Sequence, residues 1–332
     1  MKEAAFVMAR EPAWQDFERL LAGGKITFRK NAGRFPHLYR EIAADLNTAR
    51  AERFDPAIAE RLNRLVMQGS QRLYGGRSFS PAGAVTFILR SFPRTVRAQW
   101  RPIGICMLLF YGLALASGIL CYRYPDLVRE LLGSLQCEQI EEMYDPESPH
   151  YARPRAAAAS ADMFGFYIYN NISIAFRTFA GGILAGLGSL LFLCINAISL
   201  GASTALVTTK GFAGTFFPFV IAHSALEITA IIFSGAAGLV LGWSLFVTRG
   251  LTRGASLRQA GRRVLPLIAG AALMLAMAAV IEAFWSSKHE LPMALRLGVG
   301  AGVWALTLIY FLAAGRGGDS ASKPRSDDWQ FL

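Results

Sequence analysis

The chain has 332 residues, 53% of them apolar and 17% charged, with a formal net charge of +11. An excess of cation of that size suits nucleic acid, but here it is confined to the first hundred residues and a few short segments between long apolar runs. That distribution excludes nucleic acid as the expected partner and points to a membrane. Four cysteines, Cys106, Cys121, Cys137 and Cys194, are too few and too scattered for a disulfide framework.

Residues 1–78 read as a small cytoplasmic helical bundle. Pro12 suits a first helical turn, and Trp14, Phe17, Leu20 and Leu21 follow at helical spacing. A second helix fits Leu38–Arg50, with Ile42 and Leu46 on one face. The third is expected from Pro56 to Tyr74, capped by Asp55, ended by Gly75 and Gly76, and buried through Ile58, Leu62, Leu65, Val66 and Leu73. Three short amphipathic helices make a thin core that calls for a partner or the membrane surface. Residues 79–101 differ: Phe87, Ile88, Leu89, Phe92 and Trp100 alternate with Arg90, Arg94, Arg97 and Arg101. This pattern predicts an amphipathic helix lying in the interface on anionic lipid.

From residue 102 to 315 the sequence predicts an all-α polytopic membrane bundle. Ile103–Tyr122 carries no charge and is close to the ~20 residues that cross the hydrocarbon. No signal peptide or lipidation motif is expected, so this run serves as the first anchor. Residues 1–102 hold 18 basic and 9 acidic side chains, whereas the loop 123–162 holds 4 basic and 8 acidic. Residues 248–263 hold five arginines and no acid. Basic loops stay in the cytoplasm, which places the acidic loop outside. Parity then requires an odd number of crossings between Glu142 and Arg258. Six spans result, near 103–122, 164–184, 188–207, 218–247, 264–285 and 297–314, with both termini and the tail 316–332 cytoplasmic. The second carries Asn170, Asn171 and Arg177, so five spans is the alternative. Small residues at four-residue spacing predict close helix contacts at Gly182 and Gly186, at Ser234, Gly238 and Gly242, and at Gly298 and Gly302.

His223 and Glu227 share one helix face, and Glu227 is the only charged residue between Gly211 and Val247. Ionisable groups at membrane depth are expensive and need partners. The expected intramembrane polar site comprises His223, Glu227, Asn196, Arg177, Asn170 and Asn171. It reads either as a relay for protons or ions or as a buried network in which Arg177 or an asparagine pairs with Glu227. Arg177 is expected near the outer boundary, and Glu282, within a turn of a helix end, is expected to reach the interface. No catalytic residue, metal site or cofactor is expected: His-x-x-x-Glu lacks the second histidine of His-Glu-x-x-His, and no nucleophile triad or phosphate loop is present.

Several stretches together resemble the stage II sporulation protein M family. These are Tyr169–Gly201 (YNNISIAFRTFAGGILAGLGSLLFLCINAISLG), His223–Gly242 (HSALEITAIIFSGAAGLVLG), Asn63–Tyr74 and the Phe92-Pro93 element of a long-N-terminus branch. Ser224 and Ser70 stand where the family tends to have glycine and histidine. The resemblance implies an inner-membrane scaffold or assembly factor of a cell-envelope complex, not an enzyme, linked to peptidoglycan remodelling and to a MoxR-type ATPase system. Membrane lipids, other envelope proteins and further copies of the chain are the implied partners. A transporter or channel built on His223 and Glu227 is the alternative.

Overall fold

The computed structural model describes residues 3–23, 33–74, 81–148 and 157–316, and all regular structure among them is helical. Gly75 and Gly76, the middle of the acidic loop with His150, and the tail beyond residue 316 lie outside the described residues. The chain divides into two compact units, residues 1–83 and 84–332.

The first unit holds three helices, α1 (Glu3–Ala22), α2 (Phe35–Ala51) and α3 (Pro56–Tyr74). Trp14, Phe17 and Leu20 meet Leu38, Ile42, Leu46 and Leu62 in one core. α1 begins nine residues before Pro12, which sits inside the helix rather than in its first turn. The carbonyl that Pro12 leaves without a donor belongs to Met8, on the water-exposed face. Asp45 is buried in this core, accepting hydrogen bonds from Trp14 Nε1 at 2.8 Å and Arg10 Nε at 2.9 Å. Arg61 joins α3 to α1 by donating to Glu11 at 2.8 Å and Glu18 at 2.9 Å, with its guanidinium over the Trp14 ring. The Arg61 hydrogen bond holds the Glu11 carboxyl below its ordinary value. Asp55 caps α3, its Oδ1 accepting from the Ala57 amide at 2.8 Å.

The boundary falls within α4 (Pro81–Thr86), and the second unit continues with a π-turn over Phe87–Ser91 and α5 (Phe92–Ala98). Pro93 has no N–H to give and crowds the carbonyl four residues back, and widening to a π-turn relieves both. The apolar residues of this segment do not all face outward. Val85, Leu89 and Trp100 are exposed, but Phe92 is 3% exposed and reaches into the bundle. Its ring lies edge-on to Phe233 and Phe311, in a notch that exists because Gly270 has no Cβ.

Then come α6 (Trp100–Arg123), α7 (Asp126–Leu132), α8 (Ser134–Tyr144), α9 (Ala157–Ala180), α10 (Leu187–Thr209), α11 (Ala213–Trp243), α12 (Arg253–Ile281) with a π-turn over Glu282–Ser286, and α13 (Met293–Ala313). Five of these, α6, α10, α11, α12 with its π-turn, and α13, are long and apolar enough to cross a membrane. A sixth long helix, α9, falls outside that set but also runs along the bundle. One end of α9 packs Phe164 and Tyr167 near Phe284, Ala279 and Ala283. The other passes into the turn where Gly182 meets Gly238. α9 thus runs the depth of the bundle in the direction of α11 and α13, opposite to α6, α10 and α12. Six traverses return the chain to its starting end, where Arg94 Nε donates to the Gly315 carbonyl at 3.3 Å and Arg97 to the Phe311 carbonyl at 3.1 Å.

α11 is the axis of this bundle. Its most apolar window is 78% buried, against 17% for that of α13, and it touches each of the other five long helices. Close approach is achieved at glycines: Gly182 lies on the Gly238 backbone, Gly186 on Gly242, and Gly201 of α10 against Ala114, Ser117 and Gly118 of α6. Gly186 also takes a left-handed φ of 85°, which turns the chain from α9 into α10. Nothing lies within 4 Å of a Cβ built at Gly298 or Gly302, so the structure brings neither against a helix. Gly300, between them, is the one that meets a neighbour, Ile221. The acidic segment folds back as α7 and α8, with Val128 and Cys137 packed on Cys121, Ala202 and Leu206. All four cysteines are free. Gly201→Val places a branched side chain against the α6 backbone, and we expect it to cost about 2 kcal/mol. Thermal unfolding of the detergent-solubilised chain measures this, with Gly298→Val as the neutral control.

Candidate polar site at the acidic end of the bundle

The cluster forms where the start of α11, the π-turn after α12, the first turn of α13 and the end of α8 converge. His223 faces inward from α11 because Ala222, Ala225 and Leu226 around it are buried too, and its imidazole is 4% exposed. Nδ1 lies 3.1 Å from the Ser286 hydroxyl. Nε2 makes no hydrogen bond, and the Glu227 carboxylate, one turn along the same face, stands 4.0 Å away. Glu282 enters from the π-turn and is buried at 9% exposure. One ligand-capable atom from each of His223, Glu227 and Glu282 lies within 4.8 Å of the others.

Around these three groups the surroundings are ordered by polar contacts. Ser286 is fully buried, and Arg296 Nη2 donates to its carbonyl at 3.0 Å. Arg296 is itself 4% exposed, and its Nε has no hydrogen-bond partner. Phe219 meets His223 edge-on at 5.5 Å and stacks parallel to His289 at 6.4 Å. Tyr144, the last residue of α8, packs on Phe216 and Phe219, and its carbonyl accepts from Thr215 Oγ1 at 2.6 Å. Burial raises the Tyr144 phenol above its ordinary value, and the negative charges of Glu282 and Glu227 raise it further. The acidic segment therefore carries a phenol to the rim of the site.

The sequence-predicted set is only partly assembled. His223 and Glu227 come together as expected from their spacing. Asn171 is 2% exposed on the inner face of α9, one turn from Tyr167, and its Nδ2 has no partner. Asn170 is exposed and donates to the Asn171 carbonyl oxygen at 3.2 Å. Asn196 satisfies itself locally, donating to the Phe192 carbonyl at 2.7 Å on α10. Arg177 is exposed beside Thr178, whose carbonyl holds Ser189 near Gly238. It sits toward the arginine-rich end, far from Glu227 and from the outer boundary expected for it, because α9 traverses the whole bundle before Arg177 is reached.

Three participants were not expected. Glu282 faces the bundle rather than the interface, since the π-turn continues the buried stripe of Leu275, Ala278 and Ala279 through Glu282, Ala283 and Ser286. Arg296 looks like an ordinary boundary cation in sequence but falls on the buried side of α13 with Gly300 and Thr307. The sequence signal for Glu282 and Ser286 was their four-residue spacing in phase with that stripe, and for Arg296 its phase with Gly300. The site also lies near one end of the membrane segment, not at its middle: Glu282 follows the last residue of α12 and Arg296 is the fourth of α13. Ser286→Ala removes the Nδ1 partner of a buried imidazole. It should lower thermal stability by about 1 kcal/mol, with no loss in a His223→Phe background.

Comparison with protein families places this geometry. The model described as Stage II sporulation protein M matches residues 107–287, more than half of the chain, taking in His223, Glu227, Glu282 and Ser286 and stopping short of Arg296. A second, described as Domain of unknown function (DUF8413), matches residues 4–75, which is the three-helix unit. No curated protein matches, and no solved structure does. With five helices long and apolar enough to cross a membrane and a family match over more than half of its length, the chain belongs to the stage II sporulation protein M family of multi-pass membrane proteins.

Proposed function

We propose that the protein is a scaffold or assembly factor of a cell-envelope complex in the bacterial inner membrane, oriented with its arginine-rich end and both termini in the cytoplasm. The observation that carries this reading is the pairing of two separately folded units. A soluble-type three-helix domain with its own aromatic core and its own family match is joined to a membrane bundle. Such a domain adds nothing to a transport path and is a natural recruiting surface. Arg249, Arg253, Arg258, Arg262 and Arg263 supply the cytoplasmic bias. The acidic cap, α7 and α8, then faces outward, where proteins that remodel peptidoglycan would dock. The three-helix unit faces the compartment of a MoxR-type ATPase.

Affinity purification from native membranes tests this. The full chain should recover an envelope protein or a MoxR-type ATPase, and a chain lacking residues 1–83 should lose the cytoplasmic partner while retaining its membrane insertion. Repeated purification of the full chain without any protein partner overturns the reading.

A second reading, an ion or proton pathway, is favoured by the buried His223, Glu227 and Glu282 grouping with Arg296 nearby. It requires flux in proteoliposomes that Glu227→Gln abolishes without unfolding the bundle. Wild-type vesicles that stay tight under every imposed gradient end this reading.

A further inference from the structure

We propose that His223, Glu227 and Glu282 bind one divalent first-row transition-metal ion, which clasps α11 to the π-turn of α12. The inference is independent of the scaffold reading.

The argument starts at the imidazole. Ser286 Oγ is fully buried and lies 3.1 Å from Nδ1; in the tautomer that carries its proton on Nδ1 the hydroxyl accepts it, and the Nε2 lone pair points at Glu227. In that tautomer a lone pair faces a carboxylate, which is repulsive unless something electrophilic stands between them. A shared proton does not fit, because 4.0 Å is well beyond the ~2.7–3.2 Å of a hydrogen bond. A metal ion does. Two ligands each about 2.0–2.2 Å from one ion stand ~3–4 Å apart, and small side-chain rotations bring all three atoms from within 4.8 Å to that range.

Charge makes the same selection. A dication with two carboxylates and a neutral imidazole is neutral as a unit, which relieves the cost of holding two carboxylates out of water. One nitrogen and two carboxylate donors suit Mn²⁺, Fe²⁺, Co²⁺ or Zn²⁺, whereas Mg²⁺ and Ca²⁺ prefer oxygen alone. The surrounding shell is the kind that orients ligands: Ser286 fixes the imidazole, and Arg296 fixes the Ser286 carbonyl at 3.0 Å. Sequence spacing supplies only His223 and Glu227. The third ligand comes from the fold, 55 residues after Glu227, on a π-turn of the kind often found at functional sites.

The test uses the full chain purified in detergent, stripped with chelator and titrated with Zn²⁺ and Mn²⁺ separately, with Mg²⁺ as control. Calorimetry and elemental analysis should give about one equivalent of transition metal per chain and none of Mg²⁺. Glu282→Gln and Glu227→Gln should each weaken binding roughly 100-fold or more. His37→Asn, at an exposed histidine of the three-helix unit, should leave it unchanged. Should the glutamine variants fail to fold, two measurements remain decisive: the thermal midpoint of the wild-type chain with and without Zn²⁺, and binding by Glu282→Asp. Absence of stoichiometric uptake by the wild-type chain, or equal affinity in a folded Glu282 variant, overturns the proposal.

Discussion

Apolar side chains gain nothing by leaving lipid for one another, so a membrane bundle is held by how closely its backbones approach. Here that approach is set by missing Cβ atoms. Gly182 on Gly238, Gly186 on Gly242 and Gly201 on Gly118 bring carbonyls and Cα atoms into direct contact, at distances that any side chain would prevent. These contacts fix where α9, α10 and α6 sit against the rest. Because α11 supplies Gly238 and Gly242, it becomes the axis around which the other long helices arrange. The depth of every other residue follows from that placement.

The polar site is a consequence of the same arrangement. The central helix is the place where a carboxylate is best kept from acyl chains, because all five other long helices touch it. His223 and Glu227 lie on that helix, and the groups that meet them come from the π-turn and the first turn of α13. The bundle is thus fastened differently at its two ends. Toward the arginines it is closed by glycine contacts and by Phe92 in its Gly270 notch. Toward the acidic cap the contact of Gly201 with Gly118 is joined by side-chain polar groups, with aromatic rings of Tyr144, Phe216 and Phe219 above them.

Much of this was legible in the sequence. Helical periodicity located the three helices of the first unit, and uninterrupted apolar runs located α6, α10, α11 and α13. The His223–Glu227 face followed from four-residue spacing alone. What the sequence could not show was which polar residues share a level. Arg177, Asn196, Glu282 and Arg296 are all polar residues in or beside apolar runs, yet one faces out, one bonds to its own helix, and two turn inward. Depth and rotation about the axis decide between these fates, and both are set by tertiary contacts such as Gly182 on Gly238. The same holds for glycine: Gly298 and Gly302 have the spacing of a contact, but the helix rotation presents Gly300 instead. Composition also leaves α9 out of the apolar set, although Asn171 and Tyr167 are buried in the bundle while Asn170 and Tyr169 are exposed.

That last point bears on how such a helix is tolerated. A segment with Asn170, Asn171 and Arg177 is poorly suited to lipid on all sides, yet α9 needs to be apolar only on the side it shows to lipid. Phe166, Ile172 and Phe176 are exposed there, while Tyr167, Asn171, Ala175 and Thr178 recur at three- and four-residue steps on the buried side. Tyr167, Asn171 and Thr178 are therefore offered to the bundle, while Asn170 and Arg177 stay exposed. Arg177, near the end of its traverse, is close enough to the arginine-rich surface for its long side chain to reach water. The two asparagines lie toward the opposite end, on the side of the acidic cap. A helix of marginal hydropathy is stable in this setting because the glycine contacts at Gly182 anchor one end and the aromatic contacts at Phe164 and Tyr167 anchor the other. Of the three polar residues that made this span look weakest, Asn171 alone lines the interior.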